Sequence, residues 1–263
     1  MKDNLDYYAN ATSYITDKRY VSGRIIEYDI KSANITMLRK YNAIDDSYYN
    51  YLNRLPKQDR EIEVGLLQKN NNYYYKTIKN GITEAKKKLL YSNNISPDSI
   101  IRIANDAVYI NTSVDLQYTE FEDVIFVRKS VSSSVLKLLN IIVFFWYNSD
   151  GINIDVKGLG DSKYIHMDYI LSIIANTIYL LERVSINDAL KFISDFYDDY
   201  INLRLDKEYY REFNPQSYYH LKNTNYYMID IDDISNIDIG YNLYILRELW
   251  SIILERYNLN IKR

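Results

Sequence analysis

Tyr20-Val21-Ser22-Gly23-Arg24-Ile25-Ile26-Glu27-Tyr28-Asp29-Ile30 runs into Lys31-Ser32-Ala33-Asn34-Ile35-Thr36-Met37-Leu38, and the change of texture between the two runs decides the fold class. The first run, residues 20–30, reads as a strand ending at Asp29. The second reads as a helix over Ser32 to Asn42, with Ser32 as the N-cap whose hydroxyl satisfies an orphan amide. Asp29 is therefore expected at a strand-to-helix switch.

Lys76 to Tyr91 is expected to be a helix with a basic stripe at Lys79, Lys86, Lys87 and Lys88, broken by Ser92-Asn93-Asn94 and Pro97. Ser99 to Ile103 and Ala107 to Thr112 are β-rich and flank Ala104-Asn105-Asp106, which predicts a tight hairpin with Asp106 at its turn. Val124 to Lys129 adds a strand. Leu139 to Tyr147 and Ile152 to Lys157 flank Asn148-Ser149-Asp150-Gly151, where Asp-Gly is a strong hairpin signal. Near Ile165 the texture turns to 3.6-residue periodicity. Helices are expected over Met167 to Glu182, from Ser185-Ile186-Asn187-Asp188 (a capping box) to Tyr200 with Phe192, Ile193 and Phe196 buried, and over Asn242 to Tyr257 with Ile245, Leu246, Leu249, Ile252 and Ile253 inward.

Composition sets limits. A chain of 263 residues that is 47% hydrophobic can bury a core without staples. The absence of cysteine excludes disulfides, thiolate zinc sites and cysteine nucleophiles. The start, MKDNLDYYAN, has no apolar core of a signal peptide, and Leu138 to Tyr147 is shorter than the ~20 residues a spanning helix needs, so no membrane association and a cytoplasmic location are expected. A net charge of −3 confines any nucleic-acid contact to a local patch. Thirty tyrosines admit two readings, the codon bias of an AT-rich genome or platforms for base stacking. Tyr209-Tyr210-Arg211-Glu212-Phe213-Asn214 is open in the same way, as a stacking surface or a packed helix junction. His166 and His220 are too few for a histidine metal site or a triad and read as helix-end or surface residues. Gly158-Leu159-Gly160 is too short to cradle a phosphate.

Two carboxylates on neighbouring strands, one ending a strand before a helix and the other at a hairpin turn, form the arrangement that holds divalent ions about 3.5–4 Å apart for phosphoryl transfer. Asp29 and Asp106 satisfy both conditions in that order. On these residues the chain resembles family B DNA polymerases of the protein-primed type, over roughly residues 20 to 165. Their first motif has Asp, two residues, then Ser, as Asp29 and Ser32 stand here. Their hairpin motif is Asp-Thr-Asp-Ser, whose second Asp is matched by Asp106, while Ala104 and Ala107 replace the first Asp and the Ser. Asp155-Val156-Lys157-Gly158-Leu159-Gly160 resembles the Lys-Gly segment whose lysine faces the primer-template backbone.

The resemblance implies that Asp29 and Asp106 are catalytic metal ligands for Mg2+, that Ser32 and Lys69 touch the nucleotide, and that Lys157, Lys129 and Arg128 contact nucleic acid. The departures are as specific. Asn34 replaces the tyrosine that floors the nucleotide site, and Lys69 is the nearest candidate for the lysine of the missing Lys-x-x-x-Asn-Ser-x-Tyr-Gly fingers motif. Arg128-Lys129-Ser130-Val131 lies where a Lys-x-Tyr element belongs but lacks the tyrosine, and no exonuclease region precedes Tyr20.

The expected fold is α+β, an antiparallel palm-like sheet with helices on one face over residues 1–165, followed by a mainly helical part over 166–263. The expected function is that of a DNA polymerase-like nucleotidyltransferase, or its degenerate descendant, from a virus or mobile element. The alternative is a non-catalytic nucleic-acid-binding or assembly subunit on a palm-like scaffold. DNA or another nucleic acid and a protein of a replication or viral assembly are the expected partners.

Overall fold

A computed structural model of the protein describes residues 4–138, 141–149, 151–157, 170–202, 204–205 and 240–256. The fold is α+β, with an antiparallel sheet. The chain forms two compact units, Met1–Asp17 with Ser22–Ser133, and Lys18–Val21 with Ser134–Arg263. The chain passes from one to the other inside two long strands.

In the first unit the strands β1 (Ser13–Ile15), β3 (Ile100–Ala104), β4 (Ala107–Asn111), β2 (Tyr20–Ile30) and β6 (Val124–Leu138) lie side by side in that order, and the short β5 (Glu120–Phe121) pairs with β6. β2 ends as the sequence predicts. Alternation sends Ile26, Tyr28 and Ile30 into the apolar core and turns Asp29 to the other face of the strand. The Lys31 N–H donates to the Ile125 carbonyl at 2.9 Å and fixes the exit from β2 against β6. Asn105 and Asp106 form the two-residue turn of the β3–β4 hairpin, with Asn105 at φ 51°, a left-handed conformation that asparagine tolerates.

Five helices accompany this part of the sheet: α1 (Leu5–Asn10), α2 (Ala33–Lys40), α3 (Asp46–Arg54), α4 (Lys57–Asn70) and α5 (Asn72–Ser92). Helices α1, α2 and α4 all pack on α5. Ser32 holds the N-cap position of α2, but the expected capping bond is absent: its φ of 51° carries the hydroxyl away, and its side chain makes no hydrogen bond to the helix amides. The expected basic stripe of α5 is also divided. Lys86 is 2% exposed, while Lys87 and Lys88 lie outside and pair with Asp6 and Glu122.

The second unit holds the end of β6, joined to the neighbouring segment by the Lys137 N–H on the Arg19 carbonyl at 2.7 Å, then β7 (Ile141–Asn148) and β8 (Gly151–Lys157). β7 and β8 pair from Ile142↔Lys157 to Asn148↔Gly151, the hairpin that Asp-Gly signals. A π-helical turn (Ile170–Ala175) leads into α6 (Asn176–Arg183), followed by α7 (Ile186–Ile201) and α8 (Gly240–Arg256). Ser185 caps α7 by accepting from the Asp188 N–H at 3.1 Å, as the capping box requires. On α7 the buried line is Ala189, Ile193, Phe196 and Tyr200; Phe192, expected inside, sits on its flank and is half-buried, because it stands one residue off the i, i+4, i+7 line. The side chain of Ile245 lies outside the described residues, while Leu246, Leu249, Ile252 and Ile253 are buried. The texture change near Ile165, Gly158-Leu159-Gly160, His166, His220 and the segment 209–214 also lie outside the described residues.

Candidate active site

Asp29 and Asp106 come together because the β2–β4 ladder sets them together. Asp29 stands opposite Ala107 in antiparallel register, so its carboxyl meets the side chain one residue earlier, at the hairpin turn. The Asp106 carboxyl is pushed up to about 6, by burial first and then by the charge of Asp29, and when it holds its proton it hydrogen-bonds to the Asp29 carboxylate. Asp29 itself is 8% exposed. The N–H of the adjacent Asn105 donates to the Thr12 carbonyl at 2.8 Å, so the segment entering β1 braces the turn.

Both carboxylates line a cavity of about 560 Å3 in the first unit. One side is the start of α2, with Ser32, Ala33, Asn34 and Ile35. Opposite stand a face of α4, made by Lys57, Arg60, Glu61, Val64 and Gln68, and a face of α5, made by Tyr75, Ile78, Lys79, Ile82, Thr83 and Lys86. Their spacing is helical, i, i+3, i+4, i+7. Lys129 of β6 completes the wall.

The cations of this cavity differ in kind. Lys57 pairs with Glu61 at 3.7 Å along α4. Among the described residues, Arg60 and Lys79 have no ion-pair partner. Lys129 Nζ forms an ion pair with Asp29 Oδ2, which with the nearby Glu27 and Asp106 holds the ammonium above its ordinary range. Lys86 is buried, donates to the Ala11 carbonyl at 2.5 Å, and is drawn down to about 8 by desolvation, against the opposing pull of Asp106.

The donor set suits a hard divalent cation. It offers only oxygens, the two carboxylates crowd one another without a counter-ion of higher charge, and magnesium sites commonly take one or two carboxylates with water and substrate phosphates supplying the rest. No cluster of three or more acidic, histidine or cysteine side chains that could hold a metal exists among the described residues; of the carboxylates lining the cavity, Asp29 and Asp106 face one another, while Glu61 on α4 pairs with Lys57.

Of the residues singled out in the sequence, Asp29, Asp106, Ser32 and Lys129 share this cavity. Lys69 is exposed in the last turn of α4, one residue past Gln68 and hence turned from the cavity face. Arg128 points the other way from Lys129, as successive strand residues do, and pairs with Asp115 at 2.8 Å. Lys157 lies on β8 of the second unit, paired with Asp155 at 2.7 Å. The residues not singled out are Lys57, Arg60 and the cavity face of α5 beyond Lys79 and Lys86; the signal that could have found them is the i, i+3, i+4 placement of cations in the segment between the two aspartates.

No helix among the described residues is long and apolar enough to cross a membrane. No curated protein matches the chain. The sequence model of the family described as Bacteriophage PBS1 gene 130 protein matches residues 2–258, and the chain therefore belongs to that phage protein family.

Proposed function

We propose that the protein is a nucleotidyltransferase of the polymerase palm type, acting on DNA or another nucleic acid in the cytoplasm of the infected host. The observation that carries this reading is the contact between the Asp29 and Asp106 carboxyls inside a cavity walled by cations. Asp29 and Asp106 would hold Mg2+. Bound there, the ion supplies activation of an attacking 3′-hydroxyl and neutralisation of a leaving pyrophosphate.

The remaining groups act on the substrate's phosphates. Arg60 and Lys79 draw a polyphosphate toward the carboxylates and away from bulk water, and Arg60 can do so through two parallel hydrogen bonds. The first turn of α2 lacks a side-chain cap and lines the same cavity, where the helix dipole favours an anion. Ser32 adds a hydroxyl to that end. Helices α4 and α5 fall in sequence between the two aspartates, the place of the fingers in the polymerases that the chain resembles.

The test is magnesium-dependent nucleotide incorporation on a primed template by the full chain, with and without each carboxylate. Incorporation that disappears in Asp29→Ala and in Asp106→Ala, with unfolding still cooperative, is the expected result. Wild-type protein that incorporates nothing with magnesium or manganese sinks the enzymatic reading. One observation favours a second reading, a palm-like scaffold retained as a nucleic-acid-binding or assembly subunit: Lys129 satisfies Asp29 without any metal. Template binding with no incorporation would select it.

A further inference from the structure

We infer that Lys129 is a resident counter-ion of the carboxylate pair, which a divalent cation must displace from Asp29 before it can bind. The inference rests on the reading of Asp29 and Asp106 as cation ligands and adds the group that controls their access.

The geometry separates a fixed partner from an exchangeable one. The Asp29 side chain is 11% exposed at the end of β2, while the Lys129 side chain is 50% exposed and reaches inward from β6. A lysine has a flexible four-carbon stem and a strongly hydrated ammonium, so it can withdraw to water at little cost. Asp29 cannot follow it. Nor is Lys129 committed to another acid. Of the acids facing it, Glu27 accepts from the Tyr109 hydroxyl at 2.9 Å and from the Ser130 hydroxyl at 2.7 Å, one on each oxygen. Asp106 faces it without an ion pair, so Asp29 is the carboxylate on which the ammonium rests.

Two consequences follow from charge alone. With Lys129 on Asp29, and buried Lys86 attracted by Asp106, the two aspartates persist together in the cation-free protein. An entering divalent ion competes with that ammonium, so its apparent affinity is lowered by the fraction of time Lys129 is bound. A polyanion entering the cavity gives the displaced ammonium a new partner. Cation and polyanion binding are thereby coupled through one side chain.

The experiment is titration calorimetry of Mn2+ alone into the full-length wild type and into Lys129→Met, Lys129→Arg and Asp29→Asn. If the ammonium occupies Asp29 about nine-tenths of the time, Lys129→Met binds Mn2+ about tenfold more tightly than wild type. Lys129→Arg keeps the wild-type affinity, which a purely steric effect of the substitution would not produce. Asp29→Asn loses the binding in either case. Mn2+ that binds wild type and Lys129→Met equally, or Lys129→Met more weakly, while Asp29→Asn still abolishes binding, overturns the inference and leaves the cation site standing. Binding that survives in Asp29→Asn, or is missing from wild type and Lys129→Met alike, overturns the cation site and the inference with it.

Discussion

The carboxyl of Asp29 at the end of β2 lies against that of Asp106 in the turn between β3 and β4, brought there by the pairing of Asp29 with Ala107, and accepts its proton in a hydrogen bond while Asp106 is protonated. Two acids that close cannot both ionise freely. With burial adding to the repulsion, Asp106 titrates near 6 in the folded chain against an ordinary value of 3.8. Below about pH 4 the group is protonated in the folded and unfolded chains alike. Between about 4 and 6 only the folded chain keeps the proton, so the stability this group contributes is present in acid and is lost as pH rises through 6. Asp106→Asn therefore gains on wild type by on the order of 1–3 kcal/mol between pH 4 and pH 7. Urea unfolding at several pH values measures it; a constant difference across that range would show that Asp106 is not perturbed.

The unpaired cations of the cavity give a second expectation. Arg60 on α4 and Lys79 on α5 face the carboxylates with no ion-pair partner among the described residues. Arg60→Ala and Lys79→Ala should each weaken binding of tripolyphosphate or a primed template by about 1–3 kcal/mol and lower the slope of log affinity against log salt by about 1. Lys69→Ala, on the outer face of α4, should change neither. Filter binding at three salt concentrations distinguishes them, and equal effects from all three substitutions would place the ligand elsewhere.

The aspartates could be read from sequence because each is announced locally, Asp29 by a change of period and Asp106 by turn residues. The cavity wall could not. Val64 is the only buried residue of α4, so Lys57–Asn70 carries no apolar stripe to reveal a helix, and without the helix its cationic face has no register. Motif spacing alone pointed to Lys69, one residue past the face that Gln68 ends. Ser32 was legible as a boundary but not as a cap, because its left-handed backbone follows from the tight exit of β2 against β6, a long-range constraint. Phe192 shows the same limit on α7: periodicity finds the stripe, and only packing separates its centre from its edge.

Gly81 sets how closely α5 approaches α2. A Cβ at this position would lie 2.7 Å from the Met37 sulfur and 2.8 Å from Tyr41 Cε2, and Met37 is fully buried. Alanine favours a helix over glycine by about 1 kcal/mol, but overpacking a close contact costs about 1–3 kcal/mol, so the clash should prevail. Gly81→Ala is expected to destabilise the protein by about 1 kcal/mol or slightly more. Gly65→Ala on α4, where nothing lies within 4 Å, should instead stabilise it. Thermal unfolding of the two variants should thus shift in opposite directions; a common direction would refute the close packing of α5 on α2.

Lys86 is the charge whose burial most nearly matches that of Asp29. The residue is 2% exposed, its ammonium donates to the Ala11 carbonyl, and it is drawn down to about 8, with desolvation outweighing the attraction of Asp106. Below about pH 8 the lysine is charged whether the chain is folded or not, and the folded state bears the cost of its burial. Between about 8 and 10.5 the unfolded chain holds a proton that the folded chain has released, so this group favours folding increasingly as pH rises. Methionine has nearly the same shape and no charge. Lys86→Met removes that burial cost, but leaves the Ala11 carbonyl without its donor, a loss of about 1–3 kcal/mol. The two nearly offset at pH 7, where the variant and wild type should differ by less than about 1.5 kcal/mol. At pH 10 the wild type gains from the neutral amine while the variant does not, and the variant should then be the less stable by on the order of 2–3 kcal/mol. Chemical denaturation at pH 7 and pH 10 reads the difference directly. A stability gap that stays constant between those pH values would mean that the Lys86 ammonium reaches water, and that the joint between α5 and the segment entering β1 is open.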